Sequence, residues 1–153
     1  MAVSRPPAGP TRRSSLPRLA ALVALGGTAG TAARAHLEAA LPAQTGAWPW
    51  TTFVINVAGS LVLGLLLESL LRSGDDTGWR RAVRVGCGTG LVGGFTTYST
   101  FILEVERLLQ GGHAAIGVLY ALVSVVAGLA SAGVGIALAG ARSRSREPRR
   151  AGA

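Results

Sequence analysis

Four stretches of the chain are almost continuously apolar, at about residues 16–41, 50–71, 79–109 and 113–141, and nearly all charge falls at their ends or between them. Each reaches the roughly 20 residues that cross a hydrocarbon core. The pattern predicts an all-α membrane protein with four transmembrane helices. The first stretch contains Gly26, Gly27 and Gly30, a run of small residues that lets helix backbones approach closely. The second opens beside Trp48 and Trp50, at what would be a membrane–water boundary, where tryptophan is favoured.

The third stretch departs from the pattern. It is longer than one crossing needs, and it contains VGGFTTYSTF, Val92 to Phe101. Gly93 and Gly94 are poor helix formers. Thr96, Thr97 and Ser99 offer the backbone alternative hydrogen bonds through their side chains. Together they predict a broken third helix. Unwinding leaves carbonyls without intrahelical donors, which a membrane tolerates only where the backbone is buried in protein or lines a cavity. Such carbonyls are hard oxygen ligands suited to a small cation. Tyr98 and Phe101, three apart, would share a face beyond the break. A glycine kink with its aromatics packed on neighbouring helices fits the same letters.

Composition supports the membrane assignment. Of 153 residues, 49% are hydrophobic and only 14% charged, against the ~25% usual for soluble domains. The net charge is +8, and all fifteen basic residues are arginine. In a soluble protein this would point to nucleic acid, but no interleaving of basic and aromatic residues supports that here. Thirteen arginines fall in the N-terminal tail, the connection between stretches two and three, and the C-terminal tail; Arg34 and Arg107 fall on the other side. The positive-inside rule therefore places both termini in the cytoplasm. The proline-rich residues 1–15 and the arginine-rich residues 142–153 read as disordered basic tails, with 16–141 as one transmembrane domain. The long first stretch argues against a cleaved leader. The single cysteine, Cys87, excludes an internal disulfide and reads as a small packing residue. His36 and His113 lie far apart and form no metal-ligand spacing.

Polar residues inside apolar stretches need partners. Arg34 would either supply positive charge near an anion path or snorkel to the interface. Asn56 would make an interhelical hydrogen bond or turn its amide into a pore. Tyr120 and Ser124, four apart, share a helix face. Glu38, Glu68, Glu104 and Glu106 lie near the ends of stretches. None stands mid-membrane as the proton site of a small cation exporter would. No nucleophile–base or histidine–carboxylate spacing indicates an enzyme.

Taken together, GGTAGTAAR, INVAGSLVLG, GTGLVGGFTTYSTF and the Tyr120–Ser124 pair resemble the small bacterial fluoride channels called Fluc or CrcB, over about residues 19–140. The resemblance implies an antiparallel, dual-topology-type dimer of four-helix subunits in the bacterial plasma membrane, with two fluoride pores. It implies passive export of fluoride to limit its toxicity. It further implies a structural Na+ at the dimer centre, held by the carbonyls of Gly93 and Thr96 and not transported. Asn56, Tyr98, Ser99, Thr100, Phe101, Tyr120 and Ser124 fall at its pore positions. Fluoride needs good donors in place of its water, and neutral amides, hydroxyls and aromatic ring edges can serve while still allowing release.

Two features depart from the resemblance. Tyr98 stands where phenylalanine is usual, which keeps the ring edge and adds a hydroxyl. The arginine bias predicts one orientation, so the expected antiparallel partner is an oppositely oriented paralogue. The alternative class is a proton-coupled exporter of cationic compounds on a similar four-helix plan, and a third is a non-transporting subunit that scaffolds a partner.

Overall fold

The computed structural model describes residues 16–144. The N-terminal tail and residues 145–153 of the C-terminal tail lie outside the described residues. Every regular element among the described residues is helical: α1 (Leu16–Ala40), α2 (Trp50–Arg72), α3 (Gly78–Val83), a π-helical segment (Arg84–Val92), α4 (Gly93–Phe95), α5 (Ser99–Gln110) and α6 (Ala114–Arg144). The helix ends fall within a few residues of the predicted stretches, and α6 runs past residue 141 to Arg144.

The boundaries have local causes. Pro42 cannot continue α1, and Pro49 precedes α2. At the far end of α2 the Ser73 N–H returns to the Leu70 carbonyl, and Gly74 follows at φ +119°, a conformation that favours glycine. Arg72 sits in that last turn, where a cation complements the helix dipole, and pairs with Glu68 one turn back. The Arg84 guanidinium, at the start of the π-helical segment, grips both oxygens of Asp76 in the loop after α2, at 3.0 and 2.7 Å. That hydrogen bonding holds the Asp76 carboxyl below the usual carboxylate range.

Helices α2 and α6 are each long and apolar enough to cross a membrane on their own. The other two predicted crossings take different forms. α1 is diluted by glycine, threonine, Arg18, Arg34 and Glu38, and the third is divided among short helical pieces.

Packing follows the small residues. α1 lies chiefly on the π-helical segment and α4, while α2 lies chiefly on α6. A methyl built on Gly30 would collide with the Leu91 carbonyl oxygen, and one on Gly26 with the Gly86 carbonyl oxygen. Across the other pair, Gly64 faces the Ala132 carbonyl and Gly135 the Leu61 carbonyl. Main chain meets main chain at both interfaces, the usual route to tight association where no water drives helices together. π-helical geometry is rare and frequent at functional sites; here only the short α4 separates it from the interruption at residues 96–98.

Candidate functional site around the helix interruption

The third helix stops at Phe95. Thr96 turns to extended backbone at φ −76°, ψ 156°, and α5 begins at Ser99. The Thr96 N–H and hydroxyl both return to the Val92 carbonyl, at 2.9 and 3.0 Å. Two other helices hold the gap open. Asn56 on α2 accepts the Thr97 N–H through Oδ1 and donates to the Thr97 carbonyl through Nδ2, each at 2.9 Å. Arg34 Nε and the Thr31 hydroxyl, both on α1, reach the Gly94 carbonyl at 3.4 Å. Gly59 lets the Thr96 methyl rest directly on α2, since a side chain there would strike it.

Beside the interruption lies a cavity of about 310 Å³ lined by Asn56, Gly59, Ser60, Val92, Thr96, Thr97, Tyr98, Phe101 and Ser124, among others. It carries no formal charge. The Ser124 hydroxyl is buried there without a protein partner, and one of the two Asn56 amide hydrogens is left beyond the Thr97 bond. A second cavity of about 740 Å³ shares Ser60 and Leu63 with the first and extends along α2 to Asp76, Arg80 and Arg84.

The structure brings Asn56, Thr96, Tyr98, Phe101 and Ser124 to one cavity and places the other candidates elsewhere. Tyr98 is 76% exposed on the single subunit, with its ring 6.2 Å from that of Phe101. Ser99 is exposed at the start of α5, and the Thr100 hydroxyl accepts from that of Thr97 at 3.2 Å. Gly93 is exposed. Arg34 pairs with Glu38, one turn on, at 3.0 Å.

Tyr120 does not line that cavity. It is fully buried, its ring 5.3 Å from both Phe101 and Trp48. Its hydroxyl donates to Glu104 Oε2 at 2.8 Å, and buried Thr52 donates to Glu104 Oε1 at 2.7 Å. Glu104 is only 9% exposed. The sequence places Glu104 near the end of its stretch but does not show that it is enclosed. It is enclosed because α2 and α6 cover it. The spacing contained the signal: Thr52 precedes Asn56 by four, Glu104 follows Phe101 by three and Tyr120 precedes Ser124 by four. Three helices thus turn a polar residue toward one point. One smaller expectation also changes: Cys87 is exposed rather than packed. Trp48 packs on Tyr120, while Trp50 beside it is exposed.

Two helices long and apolar enough to cross a membrane, packed backbone to backbone beside an uncharged, donor-lined cleft, are the features of a small membrane protein. The family model described as "CrcB-like protein, Camphor Resistance (CrcB)" matches residues 21–136, and the chain belongs to that family. It is similar to the fluoride-specific ion channel FluC 2 of Leifsonia xyli subsp. xyli, 48% identical over 126 residues, covering 79% of this chain and 86% of the relative. It is also similar to FluC 1 of Cutibacterium acnes, 46% identical over 112 residues, with 73% of this chain and 78% of the relative covered. FluC of Novosphingobium aromaticivorans is 44% identical over 112 residues, covering 71% of this chain and 86% of the relative.

Proposed function

We propose that this chain is a subunit of a fluoride-selective channel that lets fluoride leave the cytoplasm passively. The observation that carries this reading is the cleft of about 310 Å³ beside the interruption, where neutral donors gather without a fixed charge. A small, strongly hydrated anion needs such donors to replace its water, and it leaves readily where no full charge holds it. The Ser124 hydroxyl and the remaining Asn56 amide hydrogen are the donors at hand. Tyr98 and Phe101 supply ring edges. The names of the relatives support the same anion. A channel performs no covalent step, so the chain is not an enzyme on this reading.

Tyr98, Ser99 and Gly93 are exposed on the single subunit, at the level of the interruption. They fit a face completed by a second, antiparallel subunit. The thirteen-to-two arginine bias favours one orientation with both termini in the cytoplasm of a bacterial plasma membrane. An oppositely oriented paralogue would then be the partner. The carbonyls of Gly93 and Thr96 fit a structural sodium ion: they are hard oxygens, and the N–H groups that would close a helix onto them are committed elsewhere. When bound, the ion would supply positive charge between the two interrupted helices.

Glu104 is a buried carboxylate of the kind the exporter alternative would use, although it lies near the end of its stretch. Both its oxygens are nevertheless held, by Thr52 and Tyr120, which leaves it poorly placed to receive a cationic substrate.

Fluoride efflux from liposomes tests the reading, with chloride efflux as control. Fast fluoride release without chloride release from the chain alone supports the channel and overturns the need for a paralogue. Release only after a paralogue is added supports a two-component channel. Silence from folded protein under both conditions overturns the channel reading.

A further inference from the structure

In an unbroken helix the Thr97 N–H would close onto the Gly93 carbonyl, and the Thr100 N–H onto the Thr96 carbonyl. Neither does so here. The Thr97 N–H goes to Asn56 Oδ1 at 2.9 Å, and the Thr100 N–H goes to Thr97 Oγ1 at 3.1 Å. Each displaced donor is captured by a side chain, so the carbonyl it would have satisfied is released. The released pair, Gly93 and Thr96, are the two carbonyls that fit the sodium ion proposed above. We propose that Asn56 and Thr97 are positioning residues for that cation site: they hold no ion themselves but keep its two carbonyl ligands free by diverting the competing N–H groups.

Glycines alone do not account for the arrangement. Gly93 and Gly94 lower helix propensity but do not select which carbonyls remain open. At membrane depth a carbonyl without a donor is costly, so without the two captures the chain gains by closing the 93–97 and 96–100 bonds. The Asn56 amide also pins the Thr97 carbonyl through Nδ2 at 2.9 Å, so both backbone groups of the residue that follows the Thr96 carbonyl are fixed. This role for Asn56 adds to its place on the cleft wall, and the inference rests on the sodium reading of the preceding section.

The test uses thermal unfolding of the purified assembly, with the partner subunit present if conduction requires it. Sodium is titrated at constant ionic strength against potassium. A ligand that binds only the folded state raises the melting temperature with a concentration dependence set by its affinity. Thr97→Val keeps the shape and removes the acceptor, while Asn56→Leu removes both amide bonds. Either change should raise the sodium concentration for half-effect by about tenfold or more, as expected for the loss of roughly 1.4 kcal/mol of binding. Thr97→Ser keeps the Oγ and should stay within about twofold of the parent chain, since its acceptor is intact. A sodium response in the parent chain that persists unchanged in Thr97→Val and Asn56→Leu overturns this inference alone. If those two variants do not fold, a Thr97→Ser protein that loses the response overturns it. No sodium response in the parent chain overturns the sodium reading and this inference with it.

Discussion

The Tyr120 hydroxyl and the Glu104 carboxylate meet at 2.8 Å inside the helix bundle, with Thr52 holding the second carboxylate oxygen. Tyr120→Phe keeps the ring packing on Phe101 and Trp48 but strips one donor from an enclosed acceptor. Leaving a buried polar group unsatisfied costs on the order of 1–3 kcal/mol. The variant should melt at a lower temperature in detergent. Because Thr52→Val removes a donor from the same carboxylate, the double variant should depart from additivity. Equal melting of Tyr120→Phe and the parent would show that the bond contributes nothing.

The close contact between α1 and the π-helical segment makes a second prediction. Gly30→Ala places a methyl against the Leu91 carbonyl and the Phe95 N–H group. Overpacking of this kind costs about 1–3 kcal/mol. Gly133→Ala meets nothing within 4 Å and should be neutral or slightly stabilising through helix propensity. Similar losses for both variants in a denaturant series would contradict the observed packing.

Asp76 and Arg84 make stability depend on pH in a defined direction. The Asp76 carboxyl is depressed in the folded state, so the pair contributes fully above the unfolded value near ~3.9 and is lost as pH falls through the folded value. Both side chains are well exposed, so the contribution is small. The melting difference between the parent and Asp76→Asn should therefore be present at neutral pH and shrink in strong acid. A difference that grows on acidification would reverse the assignment.

Two substitutions separate donors from ring edges in the cleft. Ser124→Ala removes a buried hydroxyl that has no protein partner. If fluoride uses it, flux should fall roughly fivefold, the equivalent of about 1 kcal/mol for one hydrogen bond. Tyr98→Phe keeps the ring beside Phe101 and should leave fluoride flux and chloride rejection unchanged. Liposome efflux reads both, and a large loss of selectivity in Tyr98→Phe would assign the phenol a role of its own.

Much of the architecture was legible in the run of apolar positions. Helix ends such as Pro42, Pro49 and Gly74 follow from local chemistry, and the glycine–threonine sequence at 93–97 marked where the third helix would give way. What local sequence could not express was the partner of each polar group. The Asn56 amide meets Thr97, 41 positions away, a partner that no local pattern indicates. Glu104 looked peripheral because the covering helices come from residues 52 and 120. The π-helical segment had no periodicity to announce it. Its wider winding is seen only with α1 lying against the small residues Gly86 and Gly90.

The ten residues Val92 to Phe101 carry the most distinctive letters in the chain, yet their shape is imposed largely from outside. Arg34 and Thr31 hold one carbonyl from α1, Asn56 holds both backbone groups of Thr97 from α2, and Gly59 sets the depth at which Thr96 comes to rest. The segment therefore behaves as a hinge leaf whose pins belong to other parts of the molecule. Grafted into an unrelated helical hairpin, the same ten letters would carry over without their conformation. A successful transplant would have to bring α1 and α2 with it.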